Sequence, residues 1–138
     1  MKSYEKCYNV CINLLNNQQS EVKKKFRSLS PSEIALCSIV KAELFFGARN
    51  SNRIDANLQR LHFFFAPLQS LSFNDLCADE YGLIRTDLQA QGKLIGPNNL
   101  LIAAIARTHQ AILVTHNTKE FSRISGLKLD DWECHPHV

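Results

Sequence analysis

The sequence has no apolar run long enough to cross a membrane. A membrane-spanning helix needs about 20 consecutive apolar residues, whereas one of the longest apolar stretches here covers only residues 100–106. The polar residues 1–6 also lack the apolar core of a secretory signal peptide. These absences exclude an integral membrane protein, and we expect a cytoplasmic protein that does not bind a membrane.

The sequence is also poor in the residues that separate domains. It contains 5 glycines and 4 prolines in 138 residues, with no Gly-, Ser- or Pro-rich tract and no internal repeat. Linked modules and solenoids are therefore disfavoured. A hydrophobic content of 45% with 21% charged residues also excludes a disordered chain. The sequence predicts one domain over residues 1–138, in which residues 133–138 form a tail.

Neither an excess of one charge nor a cysteine framework is present. The 16 Lys and Arg residues nearly balance the 13 Asp and Glu residues, so the net charge of +3 permits nucleic-acid contact without requiring it. The five cysteines are odd in number and include no Cys-x-x-Cys pair, which predicts reduced thiols. Cys37 and Cys77 are predicted to pack in the core. The alternative is a zinc site made by Cys7, Cys11 and residues 134–137, which the terminal position of that segment disfavours.

Short apolar runs alternate with amphipathic helical segments along the chain. Ser38 is the predicted N-cap of one helix, and Gly96-Pro97-Asn98 is the start signal of another, with Asn98 as its cap. This alternation predicts an α/β fold with a mostly parallel sheet and helices on both faces. Strands are predicted at residues 34–37, 68–73 and 111–115, and helices at residues 12–17, 20–29, 38–49, 54–65, 75–91 and 100–109.

Polar residues follow two of the predicted strands and open one of the helices. Glu43 lies in the helix after the first strand, and residues 115–117 follow the last strand. Asn98 and Asn99 open the helix that precedes the last strand. Because sites in parallel sheets form at the carboxyl ends of strands, we expect these segments to meet, and their oxygen atoms suit a magnesium-class cation. Alternatively, Glu43 is an exposed helix carboxylate and Asn117 makes an Asx-turn.

Four blocks of sequence stand out for their residue order. They are Asn-Val-Cys-Ile at residues 9–12, Ile-Val-Lys-Ala-Glu-Leu-Phe-Phe-Gly-Ala at 39–48, Ile-Gly-Pro-Asn-Asn-Leu-Leu-Ile-Ala-Ala at 95–104, and Leu-Val-Thr-His-Asn-Thr-Lys-Glu-Phe at 113–121. Together they resemble the PIN-domain toxins of the VapC type, over residues 9–132. The resemblance implies a three-layer α/β/α PIN-like fold, RNA cleavage that depends on Mg²⁺ or Mn²⁺, and a small antitoxin as partner.

Two acids of the family's metal site are absent from this sequence. The opening motif of the family usually reads Asp-Thr-Asn, which corresponds here to Cys7, Tyr8 and Asn9. A cysteine therefore stands at the first metal-binding acid, and Asn9 is a supporting residue. Glu43 matches the second acid. Asn99 replaces the third acid with a side chain of similar shape and no charge.

The fourth position of the site is variable in the family, and Asn117 occupies it here. Thr115 is expected to orient the site by hydrogen bonding, and Glu120 follows three residues after Asn117. By resemblance, the catalytic residues are Glu43, Asn99, Asn117 and Glu120, and the metal positions are Glu43, Asn99 and Cys7, the last marking a missing acid.

The loss of two carboxylates should weaken a metal site, because the affinity of a hard cation depends on how many anionic oxygens surround it. We therefore expect weak binding of Mg²⁺ or Mn²⁺ and weak or absent RNA cleavage. Natural decay of a toxin and an engineered substitution would both produce Asn99. Residues 2–8 are also too polar for a good central strand. The alternative function is a non-catalytic binding protein that sequesters an antitoxin or RNA.

Phenylalanines are crowded on two successive predicted helices. With residues 63–65, they give more aromatic surface than a small core easily encloses. We expect Phe45, Phe46 and Phe64 to lie at a partner interface, either in a homodimer or in a groove that receives the antitoxin. The alternative is that all of these rings belong to the core.

Overall fold

The computed structural model describes residues 4–6 and 21–132 of the chain. The predicted helix at residues 12–17, the site positions Cys7 and Asn9, and the tail at residues 133–138 lie outside the described residues. Within the described part, no helix is both long enough and apolar enough to cross a membrane.

Strands and helices alternate along the described part of the chain. The strands are β1 (Tyr4–Lys6), β2 (Ile34–Cys37), β3 (Gln69–Leu71), β4 (Ile112–Val114) and β5 (Lys128–Asp130). The helices are α1 (Glu21–Ser28), α2 (Ser38–Arg49), α3 (Ile54–Phe65), α4 (Asp75–Ala90), α5 (Pro97–Thr108) and α6 (Thr118–Phe121), and a single 3-10 turn, Pro31–Glu33, precedes β2.

The five strands form one parallel sheet in the order β3-β2-β1-β4-β5. The connections from β1 to β3 run in one direction across the sheet, and those from β3 to β5 run in the opposite direction. Because such crossovers are right-handed, the two groups of connections cover opposite faces of the sheet. The predicted three-layer α/β/α fold with a parallel sheet is confirmed.

The inner strands differ in how apolar they are. All four residues of β2 are buried, as expected for a parallel strand covered on both faces. β1 has the sequence Tyr-Glu-Lys, yet its backbone pairs with β2 on one side and with β4 on the other. The first strand expected around residues 2–8 therefore lies at residues 4–6, and it is central in the sheet although its sequence is atypically polar. The main chain supplies the ladder hydrogen bonds whatever the side chains are, and both neighbouring strands are strongly apolar.

The predicted bounds of α2 and α3 are confirmed at both ends, but two predicted caps are wrong. Ser38 is the first residue of α2, and its Oγ donates to the backbone oxygen of Leu71 in β3 at 3.1 Å. Asn98 lies inside α5, which begins at Pro97 with Gly96 as its N-cap. Both errors have the same cause, since each polar side chain makes a tertiary contact that local sequence does not reveal.

The core lies between the sheet and the helices, and α5 is the helix with the most buried residues. Residues 102–106 of α5 are each no more than 2% exposed, so this helix packs on several sides. Cys37 and Cys77 have no exposed surface, which confirms that they pack in the core as small apolar side chains.

Asn74 caps helix α4, and this cap provides a test of local stability. Its Oδ1 accepts a hydrogen bond from the backbone N–H of Cys77 at 3.1 Å, which satisfies one of the donors left unpaired in the first turn. We expect Asn74→Ala to lower the free energy of unfolding by about 1 kcal/mol, as measured by urea denaturation. The control Asn74→Ser keeps an oxygen acceptor, so its free energy of unfolding should fall clearly less. An equal fall in both variants would contradict the capping role.

Candidate functional site

The predicted site segments meet at the carboxyl edge of the sheet. α2 starts directly after β2, and the loop at residues 115–117 leaves β4 at the same edge because the two strands are parallel. β1 lies between these strands, where the chain changes direction across the sheet, and this is the position at which parallel α/β sheets bind ligands. The N-terminus of α5 completes the edge through side-chain contacts with both neighbouring segments.

Glu43 and Asn98 form one side of the site. Glu43 is half-buried in the second turn of α2, and Asn98 is exposed at the second position of α5. The Nδ2 atom of Asn98 donates a hydrogen bond to Oε1 of Glu43. This contact joins two helices that are far apart in sequence. It also rules out the reading of Glu43 as an unengaged exposed helix carboxylate.

Glu120 is the centre of the other side of the site. Its Oε1 accepts hydrogen bonds from the backbone N–H of Gly96 at 2.8 Å and from Nδ2 of Asn99 at 3.2 Å. Its Oε2 accepts from Nδ2 of Asn117 at 3.0 Å. Three donors from two chain segments therefore converge on one carboxylate, and the predicted residues Asn99, Asn117 and Glu120 form one connected group.

Thr115 fixes the start of the loop that carries Asn117. It is fully buried, its backbone N–H donates to the backbone oxygen of Asp130 at 3.0 Å, and its Oγ1 accepts from the backbone N–H of Asn117 at 3.0 Å. The predicted orienting role of Thr115 agrees with this geometry. The Asx-turn alternative for Asn117 is wrong, because its side chain makes no cap hydrogen bond and donates to Glu120 instead.

The surroundings of Glu120 favour its charged form. The backbone N–H of Gly96 is the main cause that holds the pKa of this carboxyl below its ordinary value of 4.5, followed by the hydrogen bond from Asn117. Burial opposes the shift, while Asn99 and the positive charge of Arg123 add to it. Glu120 is therefore a firmly ionised acceptor at neutral pH.

The hydrogen bonding of the site decides whether a divalent cation fits. Asn99 and Asn117 both turn amide nitrogens toward Glu120, and N–H donors contact both of its oxygens. Hard cations bind oxygen atoms, so these amide nitrogens are not ligands. Among residues 4–6 and 21–132, no group of three His, Cys, Asp or Glu residues is arranged to hold a metal ion. The described residues therefore do not fit a tightly bound Mg²⁺ ion.

One contributor to the site was missed by sequence reasoning. It is the backbone N–H of Gly96, which binds Glu120 and leaves no side-chain signal. Asn98 was placed among the polar residues expected to meet, but as a helix cap, and its contact with Glu43 was not predicted. Arg123 also lies near Glu120, and its Nη1 donates to the backbone oxygen of Leu94 at 3.2 Å, in the loop before α5.

The three predicted interface phenylalanines have different environments. Phe45 is half-buried and packs edge-on against Phe65 with ring centroids 5.4 Å apart. Phe64 is half-buried and stacks on Phe26 at 5.9 Å. Phe46 is 71% exposed. The alternative that all of these rings are core is therefore wrong for Phe46, and the partner-interface role of the three stays a prediction.

The lowered pKa of Glu120 makes a prediction for stability against pH. A carboxyl whose pKa is lower in the folded state stabilises the fold above its ordinary pKa, and this stabilisation is lost as the pH falls through the lowered value. We expect Glu120→Gln to be less stable than the unmodified chain at neutral pH. The difference in unfolding free energy between the two chains should become smaller when the pH falls below 4.5, the ordinary pKa of this carboxyl. Urea denaturation at several pH values measures it, and a difference that grew on acidification would contradict the ionised role.

A matched pair of variants at Gly96 isolates the main cause of this shift. Gly96 has φ −58°, which alanine and proline both adopt, and an added Cβ would meet its nearest atoms, in Glu120 and Asn99, at 3.8 and 3.9 Å, ordinary contact distances. Gly96→Ala keeps the N–H donor, whereas Gly96→Pro removes it and puts the ring Cδ in the place of that hydrogen, so the Glu120 carboxylate must also move from its position 2.8 Å from the nitrogen. We expect the pKa of Glu120, followed by NMR titration, to rise in Gly96→Pro and to stay low in Gly96→Ala. The same pKa in both variants would refute the assigned cause.

Comparison with known proteins places the fold and the site in a family. The sequence profile of the PIN domain matches residues 9–127 of the chain. Ribonuclease VapC2 of Rickettsia felis is 37% identical over 126 residues, which cover 91% of this chain and 94% of that protein. The tRNA(fMet)-specific endonuclease VapC of Shigella flexneri is 34% identical over 124 residues, which cover 90% of this chain and 93% of that protein.

Solved structures give the same result. A chain in the crystal structure of VapBC2 from Rickettsia felis, bound to a DNA fragment from the promoter, superposes with a TM-score of 0.86 at 36% identity and covers 94% of this chain and 98% of that one. A chain in the crystal structure of DNA-bound VapBC from Salmonella typhimurium superposes with a TM-score of 0.89 at 30% identity. The match covers 96% of this chain and 99% of that one. With the match of the PIN profile to most of its length, this chain belongs to the PIN-domain family and is of the VapC type.

Proposed function

We propose that the chain is the toxin component of a toxin–antitoxin pair, built on the fold of a metal-dependent single-strand endoribonuclease. The observation that carries the proposal is the convergence of Glu43, Asn99, Asn117 and Glu120 at the carboxyl edge of a parallel sheet. Relatives that span about nine-tenths of the chain at over 30% identity are named ribonucleases or endonucleases. An RNA-cleaving toxin would act in the cytoplasm, where its substrate is.

We further propose that Cys7 and Asn99 weaken or abolish cleavage in this chain. Asn99 lies 3.2 Å from Glu120 and donates a hydrogen bond to it. An aspartate at the same position would bring a second negative charge close to Glu120, an arrangement that a cation between them would relieve. With asparagine at position 99 this repulsion does not arise, and its N–H group stabilises Glu120 by a hydrogen bond instead. When bound in such a site, a divalent cation supplies positive charge to the attacked phosphate and activates water. Neutral Asn99 lowers the affinity for that cation, because the site carries one negative charge fewer than it would with aspartate.

The partners of the chain follow from the same family membership. The solved relatives include VapBC assemblies, in which the VapC-type chain is accompanied by VapB. We propose that this chain likewise binds a cognate antitoxin, acts on RNA and forms a homodimer. Exposed Phe46 and Phe63 provide apolar surface on α2 and α3 for contact with the two protein partners, the antitoxin and the second copy of the chain.

The alternative is a non-catalytic binding protein that sequesters an antitoxin or RNA. Its specific support is that both oxygens of Glu120 already accept hydrogen bonds, from Gly96, Asn99 and Asn117. A site satisfied by its own amide groups is stable without a metal ion, so the fold and its partner surfaces do not need one.

The double reversion Cys7→Asp, Asn99→Asp separates the two functions. We expect the reverted chain to bind Mn²⁺ at least tenfold more tightly than the unmodified chain, because two carboxylates are returned to a site for a hard cation. Titration calorimetry measures the binding. We also expect cleavage of single-stranded RNA to increase in parallel, as followed on a denaturing gel.

Glu43→Ala in the reverted background is the control for this experiment. It should remove both metal binding and cleavage, since Glu43 is the acid retained on α2. Equal activity of the reverted and unmodified chains would show that Cys7 and Asn99 do not limit the reaction. Tight Mn²⁺ binding without any RNA cleavage by the reverted chain would favour the binding-protein alternative.

A further inference from the structure

One face of α2 continues from the candidate site into an open pocket. Ile39, Ala42, Glu43 and Phe46 recur at helical spacing and lie on this face, and Asn98 of α5 faces them. The pocket has a volume of about 510 Å³, within the range of small-ligand sites. It has a polar end at Glu43 and Asn98, an apolar wall at Ile39 and Ala42, and an aromatic ring at Phe46.

Phe46 is unlike the other rings of this helix pair. Phe45, Phe64 and Phe65 pack against one another or against neighbouring rings. Phe46 is 71% exposed, and within residues 4–6 and 21–132 no aromatic ring packs on it. An aromatic face beside a polar site is a surface on which a nucleobase can stack.

The charge at the polar end of the pocket selects which part of a nucleotide lies there. The carboxylate of Glu43 repels a phosphate group but accepts a hydrogen bond from a ribose hydroxyl or from a base amino group. Asn98 uses its Nδ2 atom to bind Glu43, which leaves its amide oxygen as a second acceptor. The pocket therefore matches a base and its ribose better than it matches the RNA backbone.

We propose that this pocket is a nucleobase subsite, in which Phe46 stacks on a base of single-stranded RNA next to the bond held at the candidate site. The inference rests on the proposed function, and it assigns Phe46 to substrate binding as the ring on which a base stacks. Because Glu43 lines the pocket, a base stacked on Phe46 would lie beside one of the site residues.

The test measures RNA binding without divalent cations, so that cleavage does not interfere. The probes are a short fluorescein-labelled single-stranded RNA and an abasic RNA of the same length, followed by fluorescence anisotropy. We expect Phe46→Leu to weaken binding of the base-bearing RNA about 5- to 150-fold, the contribution of one stacked base. Binding of the abasic RNA should not change, and Phe46→Trp should keep the affinity for both probes.

Phe63→Leu is the matched control, because Phe63 is equally exposed, at 73%, on the neighbouring helix α3 but lines a different pocket without Glu43. Its RNA affinity should match that of the unmodified chain.

An equal loss of RNA affinity in Phe46→Leu and Phe63→Leu would point to a general apolar surface that fits a protein partner, and would overturn the subsite. Unchanged RNA binding in Phe46→Leu would overturn the subsite while leaving the proposed RNA-directed function intact. If neither the unmodified chain nor the Cys7→Asp, Asn99→Asp chain binds RNA, the subsite and the proposed RNA-directed function are both overturned.

Discussion

The carboxylate of Glu120 is the interaction on which the arrangement of the site depends. Three N–H donors from two chain segments converge on it, and one of them is the backbone of Gly96, just before α5. Because a buried or half-buried carboxylate without donors is costly, these hydrogen bonds hold the start of α5 against the loop after β4. The position of α5 in turn sets where Asn98 meets Glu43 on α2. One anionic group thus connects three elements of the carboxyl edge.

The same network explains how an asparagine at position 99 is compatible with an intact fold. An acid-rich site needs a cation to neutralise mutual repulsion, whereas amide nitrogens neutralise it with hydrogen bonds. The VapC-type scaffold therefore remains well formed around a less charged centre, as its agreement with solved relatives over more than nine-tenths of the chain indicates.

The sequence was informative where local signals are strong. β2 reads as a strand because four buried apolar residues lie between a Pro-containing turn and a helix, and α3 ends just before Ala66 and Pro67. Four-residue α6 and three-residue β5 were not predicted, since elements of that length show no periodicity. Glu43, Asn99 and Asn117 were expected at the site from their places at strand ends and a helix start, and family resemblance added Glu120. The contacts that engage them, above all the Gly96 N–H on Glu120 and Asn98 on Glu43, follow from tertiary placement.

Two consecutive residues of α5 reach in different directions across the cleft. Asn98 contacts Glu43 on α2, and Asn99 contacts Glu120 on the far side. Neighbouring positions on a helix are about 100° apart, so this divergence is set by the residue at which α5 begins. A substitution at either position would disturb one contact only. An insertion of one residue after Pro97 would instead turn the Gly96 N–H by about 100° relative to both amides, so the contacts of this segment with Glu43 and Glu120 would no longer form together.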